Sequence, residues 1–358
     1  MKIIFATEAT GWTGGANQIW LTSQELRRRG HEIVVACSPE GDLSRRLAAA
    51  GVPVEPVPIR QDYDLPAARA IARIADERGA SLIHAHHPKA HAVCLLSRWL
   101  WTRVPLVVTR RVINPIRKNP FSRFKYNSGK IARYIAVCQA AADELAAVGV
   151  APERISVIPS GIDTRRWDAS RKDRASLGST PPLRVIMVGH YSPIKGHSIL
   201  LQAAARVIQE FPSVLFQLVG RETAKLRPEA ERLGVAGHVE ILGERTDVPE
   251  LLSKTHLFVM PSLMEGIGTA LIEAQAAGVP VVASEVGGLP DVVEKGVTGL
   301  LTPPGDAQAL ASALLRLLKS PEEREAMAAR AVENARKNFS VEAVTDRLED
   351  LYTRMARP

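Results

Sequence analysis

The chain has 358 residues, 46% hydrophobic and 23% charged, with a formal net charge of +8. That length exceeds one comfortable core and predicts two domains, while the composition excludes disordered, collagen-like and low-complexity classes. No stretch nears the ~20 apolar residues of a membrane span, and the opening MKIIFATEATGWTGG lacks the pattern of a secretory signal, so a cytoplasmic location is expected.

Strand and helix signals alternate from the start. Lys2–Ala6 reads as a strand, Gly11–Gly15 as a glycine-rich loop and Ala16–Arg29 as a helix closed by Gly30. Strands follow at Glu32–Cys37, Val54–Val57, Leu82–His84, Leu106–Thr109 and Tyr134–Val137. Helices are expected at Leu43–Ala50 and at Leu65–Arg78, where Leu65, Ala68, Ile71, Ala72 and Ala75 share one face. The segment Asp163–Pro182 has little apolar periodicity and reads as an interdomain linker, with its core at 165–182.

The alternation restarts with strand Arg184–Val188 and helix His197–Glu210. Val214–Val219, Val239–Leu242, Leu257–Met260, Val279–Ala283 and Gly299–Thr302 are further strands. Helices at Asp306–Leu318, Pro321–Lys337 and Val341–Met355 end the chain, with Ser320 before Pro321 as a natural N-cap. The expected class is α/β: an N-terminal unit over 1–164, the linker 165–182, and a second unit over 183–339. Each has a parallel sheet with ligands met at the strands' carboxyl ends.

Three loops carry chemistry. Gly14 and Gly15 open a helix after the first strand, where bare backbone can approach an anion. The motif is not GxGxxG, which argues against a nicotinamide enzyme. Residues 188–197 place Gly189, His190 and Lys195 after the first strand of the second unit, where a lysine can neutralise a diphosphate. Residues 265–273 read Glu-Gly-Ile-Gly-Thr-Ala-Leu-Ile-Glu. Gly266–Thr269 is expected to open a helix as a phosphate seat, and Glu265 and Glu273 suit hydroxyl-rich ligands because a carboxylate only accepts.

Between Arg78 and Ala142 there are twelve basic residues and no acidic one; subtracting twelve from +8 leaves −4 for the rest. Trp99, Trp101, Phe121, Phe124 and Tyr126 are interleaved, which suits an anionic membrane surface or a phosphorylated partner through 98–133. Cys37, Cys94 and Cys138 form no CxxC pair and read as buried thiols. Asp62-Tyr-Asp64 reads as helix capping rather than a metal motif. His84, His86, His87 and His91 follow a strand and read as lining a ligand site, with zinc as the lesser alternative.

Taken in order, these pieces resemble family 4 of the retaining glycosyltransferases, with the GT-B fold of two facing Rossmann-like domains. The resemblance rests on Gly14-Gly15, Val157–Asp163, Val188-Gly189 to Lys195-Gly196, Leu242-Gly243 to Asp247-Val248, Pro261-Ser262, Glu265 to Glu273, Ala277–Ala283 and Gly287-Gly288. It implies that Glu273 binds the donor ribose, Glu265 the donor sugar and Lys195 the departing diphosphate. Gly268 and Thr269 would bind phosphate through their amides, Gly15 would approach the donor, and the backbone at Ile241–Gly243 would meet the base. It further implies that the last helix, 340–358, packs back on the first domain, and that no metal or other cofactor is required.

Two positions depart from the family pattern. His190 stands where an arginine is usual, and Arg111 stands where a histidine often follows a strand ending in threonine. The implied reaction is same-face transfer from a nucleotide sugar, expected to be a UDP-sugar. The acceptor is expected to be a lipid-linked or envelope glycan such as lipopolysaccharide core, reached from the inner membrane face. A nucleotide-sugar epimerase and a binding protein without turnover are the alternatives; nucleic acid is not expected as a partner.

Overall fold

A computed structural model describes residues 1–174, 177, 178 and 181–356. The chain forms two compact units, one comprising Met1–Ile162 with the chain from Val341 onward, the other Asp163–Ser340.

Unit 1 holds β1 (Lys2–Ala6), β2 (Glu32–Cys37), β3 (Val54–Pro56), β4 (Leu82–Ala85), β5 (Leu106–Arg110), β6 (Ile131–Ala136) and β7 (Ile155–Val157), in the order β3-β2-β1-β4-β5-β6-β7. All neighbours are parallel. The inner strands are buried on both faces and read as largely apolar runs, which is why they are legible in the sequence, whereas the part-buried edge strand β7 is not among the expected ones. The core gathers Ile3, Phe5, Ile19 and Val107 with Val344, Leu348 and Tyr352 of helix Val341–Ala356. Arg29 fixes that helix through Asp346 at 2.5 Å and Glu349 at 3.0 Å.

Unit 2 holds β8 (Leu183–Val188), β9 (Val214–Val219), β10 (Val239–Gly243), β11 (Leu257–Met260), β12 (Val281–Ser284) and β13 (Gly299–Thr302), ordered β10-β9-β8-β11-β12-β13 and parallel throughout. In both units the strand order reverses beside the first strand, between β1 and β4 and between β8 and β11. In open α/β sheets ligands bind outside the carboxyl ends of the strands at such a switch point.

Several boundaries differ from expectation. The first helix spans Gly14–Arg28, because the Thr13 side chain accepts from Ala16 N at 3.3 Å and draws the glycine pair into the first turn. β12 starts at Val281, because the Val279 amide turns back to the Ala274 carbonyl at 2.9 Å. Helix Pro88–Leu100, which is not among the expected elements, buries Ala90, Val93, Cys94 and Leu95. Ser320 sits at the N-cap of helix Pro321–Phe339 without a side-chain capping bond.

The segment 165–182 contains a 3-10 turn, Thr164–Trp167, and helix Asp168–Arg174. Trp167 is buried, and Arg174 Nε donates to the Thr255 carbonyl at 3.2 Å. Residues 175, 176, 179 and 180 of that segment, and 357 and 358 of the last helix, lie outside the described residues. Asp64 caps helix Leu65–Glu77 by accepting from Ala67 N at 3.1 Å. All three cysteines are free and buried. Among the described residues no helix is long and apolar enough to cross a membrane.

Candidate functional site

The switch point of unit 2 collects most of the predicted residues. After β8 the chain passes Gly189 and His190 into a 3-10 turn, Pro193–Lys195, and then helix His197–Glu210. Gly196 has φ +74°, and a Cβ there would run into the Pro261 carbonyl, so the turn is pressed against the end of β11. This close approach brings Lys195 Nζ to Glu265 Oε2 at 2.6 Å, across seventy positions of sequence. Ser262 Oγ also donates to Glu265 Oε2, at 3.4 Å, and both charged side chains are largely shielded. Lysine and glutamate, expected to serve separate groups, therefore form one ion pair.

The helix expected to open at Gly266 begins at Thr269 and runs to Ala276. Gly268, with φ +64°, cannot join the helix and becomes its N-cap. Its bare α-carbon fits against Leu289 and Met260, where a Cβ would meet Leu289 Cδ2 at 2.7 Å. No side chain caps this helix, so its first amides have no capping acceptor. Glu273 lies one turn further in and is part-buried. Burial pushes its carboxyl up to about 7, opposed by the positive charge of Arg166. Its carboxylate has no hydrogen-bond partner among the described residues.

Three neighbouring strands of unit 2 have a glycine at their carboxyl end: Gly189 directly follows β8, Gly220 directly follows β9, and Gly243 closes β10. Gly189 N donates to the Val219 carbonyl at 2.8 Å, and Gly220 N to the Gly243 carbonyl at 2.7 Å. Space beside Gly189 and Gly243 is open, whereas a Cβ on Gly220 would strike the Gly189 carbonyl. Gly220 was not picked out from the sequence, although Val219-Gly220 repeats the Val188-Gly189 and Leu242-Gly243 pattern. His190 is exposed and is not joined to the Lys195–Glu265 pair by a hydrogen bond.

Unit 1 has its own switch-point cluster. Thr7, directly after β1, holds His87 Nδ1 at 2.7 Å through Oγ1. The His87 ring overlies Gly15, where a Cβ would meet Nε2 at 2.6 Å. Arg111 Nη2 donates to His86 Nδ1 at 3.2 Å, and Nη1 to Ser160 Oγ at 3.3 Å. Burial lowers the Arg111 guanidinium to about 10, which leaves it charged at pH 7. Burial first, then Arg111, depresses His87 to about 4 and His84 well below its ordinary value. These rings are therefore neutral at pH 7.

His84 bridges Tyr352 Oη at 2.6 Å and Thr109 Oγ1 at 2.5 Å. His91 packs edge-on against Tyr126 and Tyr134. Among the described residues no three His, Cys, Asp or Glu side chains are grouped to hold a metal. The basic stretch is not all surface: Lys125 is buried, with Nζ at 3.5 Å from Asp62 and 3.2 Å from the Pro88 carbonyl.

Comparison with known proteins agrees with this organisation. Residues 12–166 match the Glycosyltransferase Family 4 model, and residues 169–337 the model for glycosyl transferases group 1. The D-inositol 3-phosphate glycosyltransferase of Rhodococcus erythropolis is 31% identical over 98% of this chain and 89% of its own. The N-acetyl-alpha-D-glucosaminyl L-malate synthase of Bacillus anthracis is 26% identical over 81% of this chain and 79% of its own. The Anabaena Alr3699/HepE structure in complex with UDP superposes with a TM-score of 0.87 at 26% identity, covering 99% of this chain and 100% of that one; its UDP-glucose complex gives 0.83. Two Rossmann-like units of like strand order, with full-length relatives of one activity class, place the chain in the family 4 glycosyltransferases of GT-B fold.

Proposed function

We propose that this glycosyltransferase is a retaining, metal-independent enzyme that takes its sugar from a UDP-sugar bound at the unit 2 switch point. The observation that carries this is the joint presence of the Lys195–Glu265 pair, the helix start at Thr269 without a side-chain cap, and the part-buried Glu273 carboxyl, which has no hydrogen bond among the described residues. Glu273 accepts from the ribose hydroxyls, which can supply the donors it lacks. The amides of Gly268 and Thr269 seat the phosphates. Glu265 meets sugar hydroxyls and fixes Lys195, whose charge stabilises the leaving diphosphate. Gly243 borders the base, Gly189 admits the donor closely, and the exposed His190 side chain adds a polar contact. The UDP and UDP-glucose complexes of the 26% identical Anabaena protein support the choice of donor.

In the reaction the bond from the anomeric carbon to the diphosphate oxygen breaks, and its electron pair leaves with the diphosphate. The acceptor hydroxyl oxygen bonds to that carbon on the same face, and its proton passes to the departing phosphate oxygen. Lys195 and the helix amides bear the developing charge, so no step calls for a metal.

The acceptor we propose is a lipid-linked or envelope glycan such as lipopolysaccharide core, met at an anionic cytoplasmic membrane surface. Support comes from the surface of unit 1. Trp99, Leu100, Trp101, Phe121 and Phe124 are exposed, Phe124 by 62%, and the Trp99 and Phe124 rings lie 4.9 Å apart. Arg103, Arg117, Lys118, Arg123 and Lys130 are also exposed along this stretch. Aromatic and basic side chains together suit an anionic interface. The relatives named for inositol 3-phosphate and L-malate favour a second reading, a soluble anionic acceptor. Flotation with anionic and neutral vesicles separates the two: retention on anionic vesicles, lost in Trp99→Ser/Phe124→Ser, supports the membrane, and no retention supports the soluble acceptor.

The central test is nucleotide release from UDP-, GDP-, ADP- and TDP-sugars. Release of UDP, with donor affinity about tenfold weaker in Glu273→Ala, is expected. An epimerase would convert the sugar without freeing nucleotide, and a binder would do neither. Unchanged donor affinity in the variant would remove Glu273 from the ribose.

A further inference from the structure

Arg111 presents a problem of charge that the fold itself does not solve. Its guanidinium is largely withdrawn from water, yet its two hydrogen-bond acceptors, His86 Nδ1 and Ser160 Oγ, are neutral. Its Nε is buried with no acceptor. Because arginine can only donate, His86 must accept at Nδ1 and carry its proton on Nε2. That Nε2–H is also without a partner, in a side chain only 2% exposed.

Arg111 and His86 line one pocket with His87, His91, Arg110 and Tyr126. No aspartate or glutamate lines it. Arg110 gives its protons to the Asn114 carbonyl and to Tyr126 Oη, so it too has no carboxylate partner among the described residues. The neighbouring cation is handled differently, since Lys125 meets Asp62. A buried charge without a counter-ion is costly, and so is a buried donor without an acceptor. One group removes both costs: an oxyanion, with negative charge and several lone pairs. Arginine's planar fork matches phosphate or carboxylate through paired N–H bonds.

We infer that the pocket around Arg111 and His86 in unit 1 is an oxyanion seat for a phosphate or carboxylate group of the acceptor. It deepens the proposed function, resting on the reading that the donor occupies unit 2. Arg111 is thereby a specificity residue, selecting anionic acceptors over neutral sugars. The seat is compatible with either acceptor proposed above, because both classes can carry such a group.

The test uses the full chain and inorganic phosphate, with malonate as the carboxylate probe and chloride at matched ionic strength as control. Calorimetry and thermal melting are expected to show saturable phosphate or malonate binding that raises Tm. Arg111→Gln should weaken it at least tenfold. Arg111→Lys, which keeps the charge and loses the fork, should fall between. UDP affinity should stay within twofold in both variants, which also shows that they fold. Preference for phosphate assigns a phosphorylated acceptor, and preference for malonate a carboxylated one. The seat is refuted if neither anion saturates, or if both variants bind like the parent. Competition between phosphate and UDP overturns the acceptor assignment and gives the seat to the donor's diphosphate. Absence of UDP binding in the parent protein would strike the donor reading instead, leaving the phosphate result to be read on its own.

Discussion

The two switch points solve one geometric problem with opposite materials. In unit 2, backbone is pressed on backbone: Gly196 lies against the Pro261 carbonyl, and Lys195 meets a carboxylate supplied by the same unit. In unit 1, backbone is pressed on a side chain: Gly15 lies under the His87 ring, and Arg111 has neutral partners alone. The first arrangement is charge-balanced and stiff. The second is adjustable and carries an unanswered positive charge. A strand order shared by both units thus fixes where ligands go but not how they are met, which is decided by single residues in the loops.

The sharpest way to break the comparison is at Lys195. Lys195→Ala should slow nucleotide release by two to three orders of magnitude, about 3–4 kcal/mol, with a much smaller change in UDP affinity. Equal losses in rate and binding would mean that the pair serves ground-state binding.

The next largest effect separates stiff from adjustable packing. Gly196→Ala must enter both a left-handed conformation and a carbonyl oxygen, and should cost about 3 kcal/mol or more by chemical denaturation. Gly15→Ala meets only a ring, and should cost about 1 kcal/mol. In a His87→Ala background the sign should reverse, because alanine is the better helix former by about 0.5–1 kcal/mol. Similar penalties for the two glycines would erase the distinction.

The smallest effect concerns Glu273. Its carboxyl, pushed up to about 7 from an ordinary 4.5, holds its proton more tightly in the native chain than in the unfolded one. Native stability therefore falls as pH rises from about 4.5 to 7, and Glu273→Gln removes that loss. Parent and variant should melt alike at pH 5, and the variant should be the more stable at pH 8 by on the order of 1–2 kcal/mol, allowing for partial exposure. In the parent, UDP affinity should rise across the same interval, since hydroxyl donors prefer the ionised carboxylate; a flat profile would detach Glu273 from the donor.

Much of this was legible in the sequence for a definite reason. Buried parallel strands such as β1 and β11 leave largely apolar runs, and each is followed by a glycine-bearing loop. Helix starts were less legible, because Thr13 and Gly268 act through local geometry: one hydroxyl reaching three residues ahead, one φ angle of +64°. The Lys195–Glu265 pair was invisible, since its partners lie seventy positions apart and meet only through the pairing of β8 with β11. Arg111 was visible as a departure from the family pattern, but its want of a counter-ion was not. That depends on which side chains the fold brings near it, and the density of arginine and lysine around 98–133 suggested an outward surface for residues that partly turn inward.

The placement of Tyr352 bears on how the chain is made. Its hydroxyl bonds His84 Nδ1, and with Val344 and Leu348 it completes the core of unit 1. The helix that carries it is translated after the whole of unit 2. During synthesis unit 1 is therefore the first to emerge and the last to be finished. Unit 2, contiguous over 163–340, has every one of its own strands before that helix exists. Nascent unit 1 must wait with an apolar face uncovered, which makes it the part of the newborn chain most in need of chaperone protection.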